Sequence, residues 1–546
     1  MKRRLRLVVI GSSTAAGQGA DPPDQAWINR YREYLKAQHP RSEVINLAQG
    51  GLQTFHLLPT GHRPPPARPL PLPERNITKA LAFRPDAIIV QVPSNDAAAY
   101  YGPAEQLANF DLIVRHAFSH GVPVWLCTPQ PRNFSPEQRR IQRDLRQAMQ
   151  ARYGPILIDA WEALADANDG LIAACDSGDG AHLNNEGHAR LFEAIVRANI
   201  PGVLKHAAHR RNYWIDRVPA LAEWTVLPSN VSQLPLRSKL WAWCRLVRLP
   251  NLAITGLALA LPYWDVVRPA IEHYGASPRL HLLHFTALVL TTLLIAAFGY
   301  VLNDLCDRKT DAINRPEKAV LGQFIAPQTA KHWVKVLWIL AVALGGWLSL
   351  SLKNAWLLGV FTGSLLVLAL YAQYFKCTAL LGNVFIALLC GLVPLLGPIA
   401  EYPFSNGAMS SEAHQRVFVG VGAYSLFAFI TNLWREQVKD LEDSTGDAVC
   451  NCRTLPVRVG ISAAKKAALI PGFLLSALTG SAGWIRNAIG ETTSTWSIYG
   501  GLPIGLASLG LTVFLSNSTG KRQFSAVSFG IKILMLAGLF WLWRLF

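Results

Sequence analysis

Two kinds of apolar pattern divide this chain at about residue 240. Before that point, short aliphatic runs at about 5–10, 43–47, 86–92, 122–128 and 155–160 are separated by segments of helical periodicity near 25–38, 104–119, 135–152 and 185–199. Strands alternating with helices at this spacing predict a three-layer α/β domain on a doubly wound parallel sheet. After it, apolar runs lengthen to about 247–264, 282–302, 333–352, 355–371, 379–400, 417–434, 467–485, 496–516 and 524–546. Most reach the roughly 17–25 residues that a membrane-spanning helix needs. The first is interrupted by Pro250 and Pro262, which membrane helices tolerate where neighbours satisfy the freed carbonyls. The pattern predicts a multidomain protein: an α/β domain over 1–204, a linker over 205–240, and an all-α polytopic bundle of about nine transmembrane helices over 241–546. The linker holds Trp214 and Trp224, so it is expected to lie along the membrane interface, where Trp is favoured.

Composition sharpens the division. The chain is 51% hydrophobic and 16% charged, averages that mix two unlike halves, and its formal net charge is +17. Such an excess would suit nucleic acid, but here the cations follow the spans. Arg237, Lys239, Arg245 and Arg248 precede the first span; Arg308, Lys309, Arg315, Lys318 and Lys331 follow the second; Arg435, Lys439, Arg453, Arg458, Lys465 and Lys466 follow the sixth. The alternate loops carry only Arg268, Arg279, Lys353, Arg416 and Arg486. The positive-inside rule then predicts a multi-pass protein of a bacterial-type inner membrane, with the N-terminus inside and the C-terminus outside. A lipid bilayer, not nucleic acid, is the expected partner. Basic Met1–Arg6 is followed by an apolar run too short for a secretory signal, which predicts a cytoplasmic first domain.

The candidate chemistry stands where apolar helices meet water. In Asn303-Asp304-Leu305-Cys306-Asp307-Arg308-Lys309-Thr310-Asp311, residues Asn303, Asp307 and Asp311 share one helical face. A second set follows another apolar run, with Asp443 and Asp447 again one turn apart and Asp440 close by. Oxygen-only clusters suit hard cations, and Mg²⁺ takes a few carboxylates while keeping positions for water and phosphate. The basic residues Arg315, Lys318, Lys376, Arg435 and Lys439 stand at helix ends of the same polarity, placed to neutralise a diphosphate.

These segments resemble the UbiA superfamily of intramembrane prenyltransferases. The likeness runs through Asn303 to Asp311 with Asn314-Arg315-Pro316, through Lys439-Asp440 to Asp447, and through Arg453-Thr454-Leu455-Pro456. It also takes in Tyr371 to Lys376 with Leu381-Gly382-Asn383, and Arg248-Leu249-Pro250-Asn251. Lys318-Ala319 stands where many members have Arg-Pro. The resemblance implies Mg²⁺ held by Asn303, Asp307, Asp311, Asp443 and Asp447. It implies a prenyl diphosphate bound through those ions and the five cations, ionisation to an allylic cation, and capture by an acceptor. Asn251, Asp304 and Asp440 are candidates for contact with substrate or for support of the metal ligands.

The first domain has a site of its own. The run Leu7–Gly11 ends in Ser12-Ser13-Thr14; Asn46 to Gly51 follows a second strand, Val92-Pro93-Ser94-Asn95-Asp96 a third, and Asp179-Gly180-Ala181-His182 comes late. Ser13, Gly51, Asn95, Asp179 and His182, in that order, resemble the SGNH (GDSL-type) hydrolases. Ser12 replaces the Asp of the usual Gly-Asp-Ser, and Pro93 stands where a Gly commonly precedes the Asn block. The resemblance implies Ser13 as nucleophile, His182 as base, Asp179 as its orienter, and an oxyanion hole from the Ser13 and Gly51 N–H groups and the Asn95 side chain. The expectation is a prenyltransferase fused to a serine esterase that deacylates acceptor or product. The alternatives are a prenyltransferase with an inactive binding module and a transporter of phosphorylated lipid. The Pro-rich run from Pro59 to Pro73 is expected as a surface loop, the eight cysteines as reduced thiols, and His281 and His284 as interface packing.

Overall fold

The computed structural model describes residues 5–92, 94–208, 210–226, 236–273, 277–401, 411–488 and 501–545. Pro93 and residues 227–235 of the expected linker lie outside them, as do the opening residues of the run 496–516. The chain divides into two units, Met1–Val226 with Ala448–Asn451, and Leu227–Asp447 with Cys452–Phe546.

In the first unit, β1 (Arg6–Gly11), β2 (Glu43–Asn46), β3 (Ala87–Gln91), β4 (Val124–Cys127) and β5 (Leu157–Ile158) form one sheet. Their order is β2-β1-β3-β4-β5, and every pairing is parallel. The continuous apolar strands are the signature of a sheet covered on both faces. Helix Trp27–Gln38 packs with Asn185–Arg197, while Ile77–Ala82, Pro103–Ser119 and Pro136–Tyr153 pack along one another. The unit runs past the expected boundary at 204. Trp214 is buried, edge-on to Phe118 and Trp125 at 5.7 and 5.6 Å, and Trp224 lies under the Arg115 guanidinium. The stretch 205–226, expected to lie on the membrane as a linker, is therefore core and rim of the first unit, because its aromatic rings find apolar partners there. The Pro-rich stretch is a loop, pinned by Arg68, whose guanidinium donates to Glu105 at 2.7 and 3.0 Å.

The second unit is helical. Six helices are long and apolar enough to cross a membrane: Leu282–Asn314, Pro327–Ser351, Ala355–Phe375, Val417–Val449, Ile461–Ser481 and Lys521–Leu542. The pair Arg237–Leu246 and Leu249–His273, bent by 49°, makes a seventh if counted as one span. The runs expected at 379–400 and 496–516 yield shorter apolar helices, Leu381–Leu392 and Leu502–Asn517. The described residues thus support six or seven spans by length and composition where the apolar runs suggested about nine; Leu381–Leu392 ends just before Pro394, which cannot continue the hydrogen-bond ladder. Tyr263, Tyr424, Trp434 and Phe524 are fully buried and centre the core. At the opposite end of helix Leu282–Asn314 from its acidic cluster, His284 stacks on Trp347 at 5.8 Å.

Two helices overshoot the bilayer. Leu282–Asn314 has 33 residues and Ser411–Val449 has 39; at 1.5 Å per residue the shorter is already about 50 Å long, against an apolar thickness of about 30 Å. Their C-terminal turns carry the two acidic clusters. Cys377 and Cys452 are joined in a disulfide with Cα atoms 4.5 Å apart, where reduced thiols were expected. The pairing arises because Arg453 N–H donates to the Cys377 carbonyl at 3.2 Å, which brings the two backbones together.

Candidate functional sites

In the first unit, Ser13 opens a one-turn helix directly after β1. That turn is held from three sides: Asn46 Nδ2 donates to the Ala15 carbonyl at 2.8 Å, Trp27 Nε1 to the Thr14 carbonyl at 2.9 Å, and Thr14 Oγ1 to Gln130 Oε1 at 2.7 Å. Gly50 lies against Ser13, since a Cβ there would stand 3.8 Å from the Ser13 Cβ. Gly51 has φ +81°, a conformation open to glycine at no steric cost. His182 is close by on the other side, where a Cβ on Gly19 would fall 3.2 Å from the His182 Cβ.

Asp179 Oδ2 and His182 Nδ1 are 2.5 Å apart, and Asp179 Oδ1 accepts the N–H groups of Ala181 and His182 at 2.9 and 2.8 Å. Burial acts to raise the Asp179 carboxyl, but these hydrogen bonds outweigh it and hold the group well below the usual carboxylate range. Asn95 Nδ2 donates to Ser12 Oγ at 2.7 Å and to the Leu52 carbonyl at 2.9 Å. Ser12 therefore occupies the side-chain position beside Asn95, and the missing Asp is replaced by a neutral acceptor. Asp96, buried, takes Thr54 N–H at 3.0 Å and Thr54 Oγ1 at 2.6 Å, tying the Asn95 loop to the chain after Gly51. Ser13 and Asn95 thus stand at the C-terminal ends of β1 and β3 with Gly50–Gly51 beside them, and the Asp179–His182 pair lies against Gly19, six residues beyond Ser13. The sequence reading missed Asp96 as a brace and Arg132, which lies within 3.5 Å of Asn95 Oδ1.

In the second unit, a cleft gathers Asp304, Asp307 and Asp311 with Arg315, Lys318, Arg435, Lys439 and Asn251. Asn303 Nδ2 donates to Asp307 Oδ2 at 2.7 Å, and Lys376 Nζ pairs with Asp307 and donates to Asn303 Oδ1 at 3.2 Å. Lys376 follows a single wide turn of π-helix, Tyr371–Phe375, a distortion that often marks functional sites. The second cluster is bracketed to the first through two residues. Arg315 Nη2 donates to Asp443 Oδ1 at 2.8 Å and lies 3.1 Å from Glu442 Oε2. Asn314, buried at the end of its helix, gives Nδ2 to the Asp443 carbonyl and takes the Gly446 N–H, both at 2.8 Å. Asp311 and Asp443 interact electrostatically across this bracket.

The other expected residues are placed less centrally. Asp447 accepts from Thr454 Oγ1 at 3.1 Å, and Asp440 from Asn383 Nδ2 at 2.8 Å. Among the described residues, no three His, Cys, Asp or Glu side chains converge closely enough to hold a metal ion by themselves. Acids at helix C-termini oppose the helix dipole, and here cations offset that charge: Arg248 pairs with Asp304, Lys376 with Asp307, and Arg315 with Asp443.

Arg248, read in the sequence as part of the entry to the first helix and as one of the cations before the first span, also lines the cleft. It sits at the bend between two helices with φ +54°, costing a non-glycine residue roughly 1–2 kcal/mol. The bend aims its Nη2 at Asp304 Oδ1, 2.6 Å away, and its guanidinium over the Tyr300 ring. Lys532 also lines the cleft, and Lys521 Nζ caps the Asn314 carbonyl. A lysine inside an otherwise apolar span was the signal for Lys532. A second, mostly apolar cavity reaches Thr292, Ile295, Phe361 and Leu396, and its polar end is lined by Arg248, Asn303, Arg435 and Lys439. Arg248, Arg435 and Lys439 line both spaces.

The chain therefore joins an α/β unit of hydrolase type to a membrane unit whose acid- and cation-lined cleft meets an apolar cavity. It belongs to the UbiA prenyltransferase family, whose model matches residues 273–536, and its N-terminal part carries a domain of the GDSL-like Lipase/Acylhydrolase family over residues 9–190. The digeranylgeranylglyceryl phosphate synthase of Methanopyrus kandleri is 31% identical over 245 residues, 45% of this chain and 81% of that protein. Its namesake from Methanothrix thermoacetophila is 33% identical over 179 residues, 33% of this chain and 60% of the relative's length. Among solved structures, a UbiA homologue from Archaeoglobus fulgidus bound to DMAPP and Mg²⁺ is 16% identical, covering 55% of this chain and 98% of that one at a TM-score of 0.33. TesA is 20% identical, covering 36% and 98% at a TM-score of 0.28.

Proposed function

We propose that the membrane unit transfers a prenyl group from a prenyl diphosphate to an acceptor within the bilayer, with Mg²⁺ as cofactor, and that the first unit is a serine esterase. The observation that carries the first reading is the cavity pair: an apolar space able to take an isoprenoid tail shares Arg248, Arg435 and Lys439 with the cleft that holds the acids. The donor set fits Mg²⁺, which is bound by one or two carboxylates together with substrate phosphates and water rather than by a full protein cage. Asn303, Asp307 and Asp311 would hold it on one helix, and Asp443 with Asp447 on the other. When bound, Mg²⁺ neutralises the negative charge that grows on a departing diphosphate.

The chain's own residues do the remainder. Arg315, Lys318, Lys376, Arg435 and Lys439 bind the diphosphate oxygens, and Lys376 and Arg315 hold the carboxylates Asp307 and Asp443 in place. The apolar walls exclude the water that would quench an allylic cation. Loop charge supports placing this site and the first unit on the cytoplasmic side. The names of the relatives make a glycerol phosphate lipid the first acceptor to try. The test is a comparison, by mass spectrometry, of lipid extracts from cells carrying the intact protein and Asp307→Ala. A product mass lost in the variant supports transfer and identifies acceptor and tail together; identical lipid profiles refute it.

For the first unit, the reading rests on the Asp179–His182 pair near Gly19 and on Ser13 at the end of β1, close to Gly50. Ser13 Oγ attacks an acyl carbon and gives its proton to His182, the bond to the alcohol oxygen breaks, and His182 returns the proton to that oxygen. Water then releases the acyl group by the same route in reverse. Labelling of Ser13 by a fluorophosphonate in the folded protein, abolished by Ser13→Ala, tests this against an inactive binding module.

A further inference from the structure

Arg132 stands in the hydrolase site without a task in the chemistry above. It lies in the segment Gln130–Phe134 that follows β4, and this segment is docked on the catalytic turn: Asn133 N–H donates to the Gly180 carbonyl at 2.9 Å and Gln130 Nε2 to the Ala181 carbonyl at 2.8 Å. The guanidinium thereby lies beside Asn95 and over the Phe134 ring, 4.6 Å from its centroid. Its Nη1 reaches Ser94 Oγ and Asn95 Oδ1 only at 3.4 and 3.5 Å, at the outer limit of a hydrogen bond. Its Nε is buried with no acceptor. It makes no ion pair among the described residues, although Asp179 is near enough to act on it electrostatically. The neighbouring arginines of the same unit, Arg146 and Arg152, are each paired with two carboxylates. The Phe134 ring meets one face of the charge, but a half-buried guanidinium with only long, neutral hydrogen-bond contacts and an unmet N–H still gains from an anion that completes it.

We propose that Arg132 binds an anionic group, phosphate or carboxylate, on the alcohol portion of the ester that Ser13 cleaves. This rests on the esterase reading of the first unit. The alcohol side is assigned because the Arg132 segment is fixed to the turn carrying Asp179 and His182, and it is His182 that protonates the leaving oxygen. The planar guanidinium presents paired donors that match two oxygens of either anion. The substrate class is then an acylated alcohol bearing its own negative charge.

The test uses the full chain in a non-ionic detergent and three decanoyl esters: 1-decanoyl-glycerol, 1-decanoyl-glycerol 3-phosphate and O-decanoyl-glycolate, with decanoate release as readout. The expected result is a preference of the wild type for one or both anionic esters. Arg132→Gln should lower kcat/KM for the favoured anionic ester about 10- to 100-fold, the range for hydrogen bonds to a charged group, and leave the neutral ester within about threefold. The phosphate and glycolate arms tell which anion is taken, and Arg132→Lys should restore part of the preference by restoring the charge. Equal losses on neutral and anionic esters, with Ser13 still labelled by a fluorophosphonate, would overturn the proposal and make Arg132 a support for Asn95. A wild type that favours the neutral ester overturns it as well. If no ester is cleaved and Ser13 is not labelled, the esterase reading itself falls, and the proposal with it.

Discussion

If the two acidic helix ends act as one site, the residue that joins them should control the chemistry without touching substrate. Asn314 is that residue. It is 4% exposed and spends both ends of its amide across the helix pair, on the Asp443 carbonyl and the Gly446 N–H at 2.8 Å each. Asn314→Ala removes two buried hydrogen bonds of good geometry, together about 1–3 kcal/mol at roughly 0.5–1.5 each. If that energy holds the clusters in register, its loss corresponds to about 5- to 150-fold in the fraction of aligned sites. Gly446→Ala attacks the same bracket sterically, because a Cβ there would stand 2.5 Å from Asn314 Nδ2. The assay is diphosphate release from geranylgeranyl diphosphate by native membranes, titrated with Mg²⁺, with thermal unfolding followed in parallel to confirm a folded protein. The expected outcome is a lower rate and a higher half-saturating Mg²⁺ in both variants. Folded variants that keep release within threefold, at the wild-type Mg²⁺ midpoint, would refute the idea that the clusters work as a unit.

Other consequences follow from single contacts. Lys376→Met should cut diphosphate release by about 10²-fold or more, the scale of losing a charge stabiliser, while leaving Ser13 labelling unchanged; loss of labelling as well would mean a misfolded protein. Ala296→Trp, on the wall of the apolar cavity, should shift the preferred donor toward shorter prenyl diphosphates in a series of increasing tail length, and an unchanged series would place the tail elsewhere. Burial raises the Asp96 carboxyl from 3.8 to about 6, so the folded first unit holds that proton more tightly than the unfolded chain. The stability this gives is complete below the unfolded value and declines as pH rises from about 4 to about 6, by at most about 3 kcal/mol. Denaturant unfolding of Asp96→Asn, which cannot ionise, should lack that part of the decline; an identical pH profile would show that Asp96 does not titrate as its burial requires.

Much of this was legible before folding. Apolar runs of strand length separated by helical periodicity are enough to require a parallel sheet, because crossovers between parallel strands need a helix. The observed strands fall inside the expected segments to within a residue, and Ser13 and Asn95 follow the C-terminal ends of β1 and β3, while His182 lies in the loop before the last long helix of the unit. The acidic clusters were legible for a related reason: charge at the end of an apolar helix is costly and rarely decorative. Where the aromatic stretch 205–226 would bury itself was not legible, since Trp suits a membrane surface and a protein core equally well. The pairing of Cys377 with Cys452, 75 positions apart, depends on a close approach of two backbones that no local spacing encodes.

By itself the sequence determined the two kinds of domain and the candidate catalytic groups in each, because periodicity and residue chemistry are local properties. Only the tertiary structure decided which groups meet. It turned Arg248 toward Asp304, joined the two acidic ends through Asn314, set Arg132 against Asn95, and opened an apolar cavity onto cations drawn from separate helices. Those are distances between remote parts of the chain, fixed by how helices and strands pack, and packing is where the pattern of a sequence stops speaking.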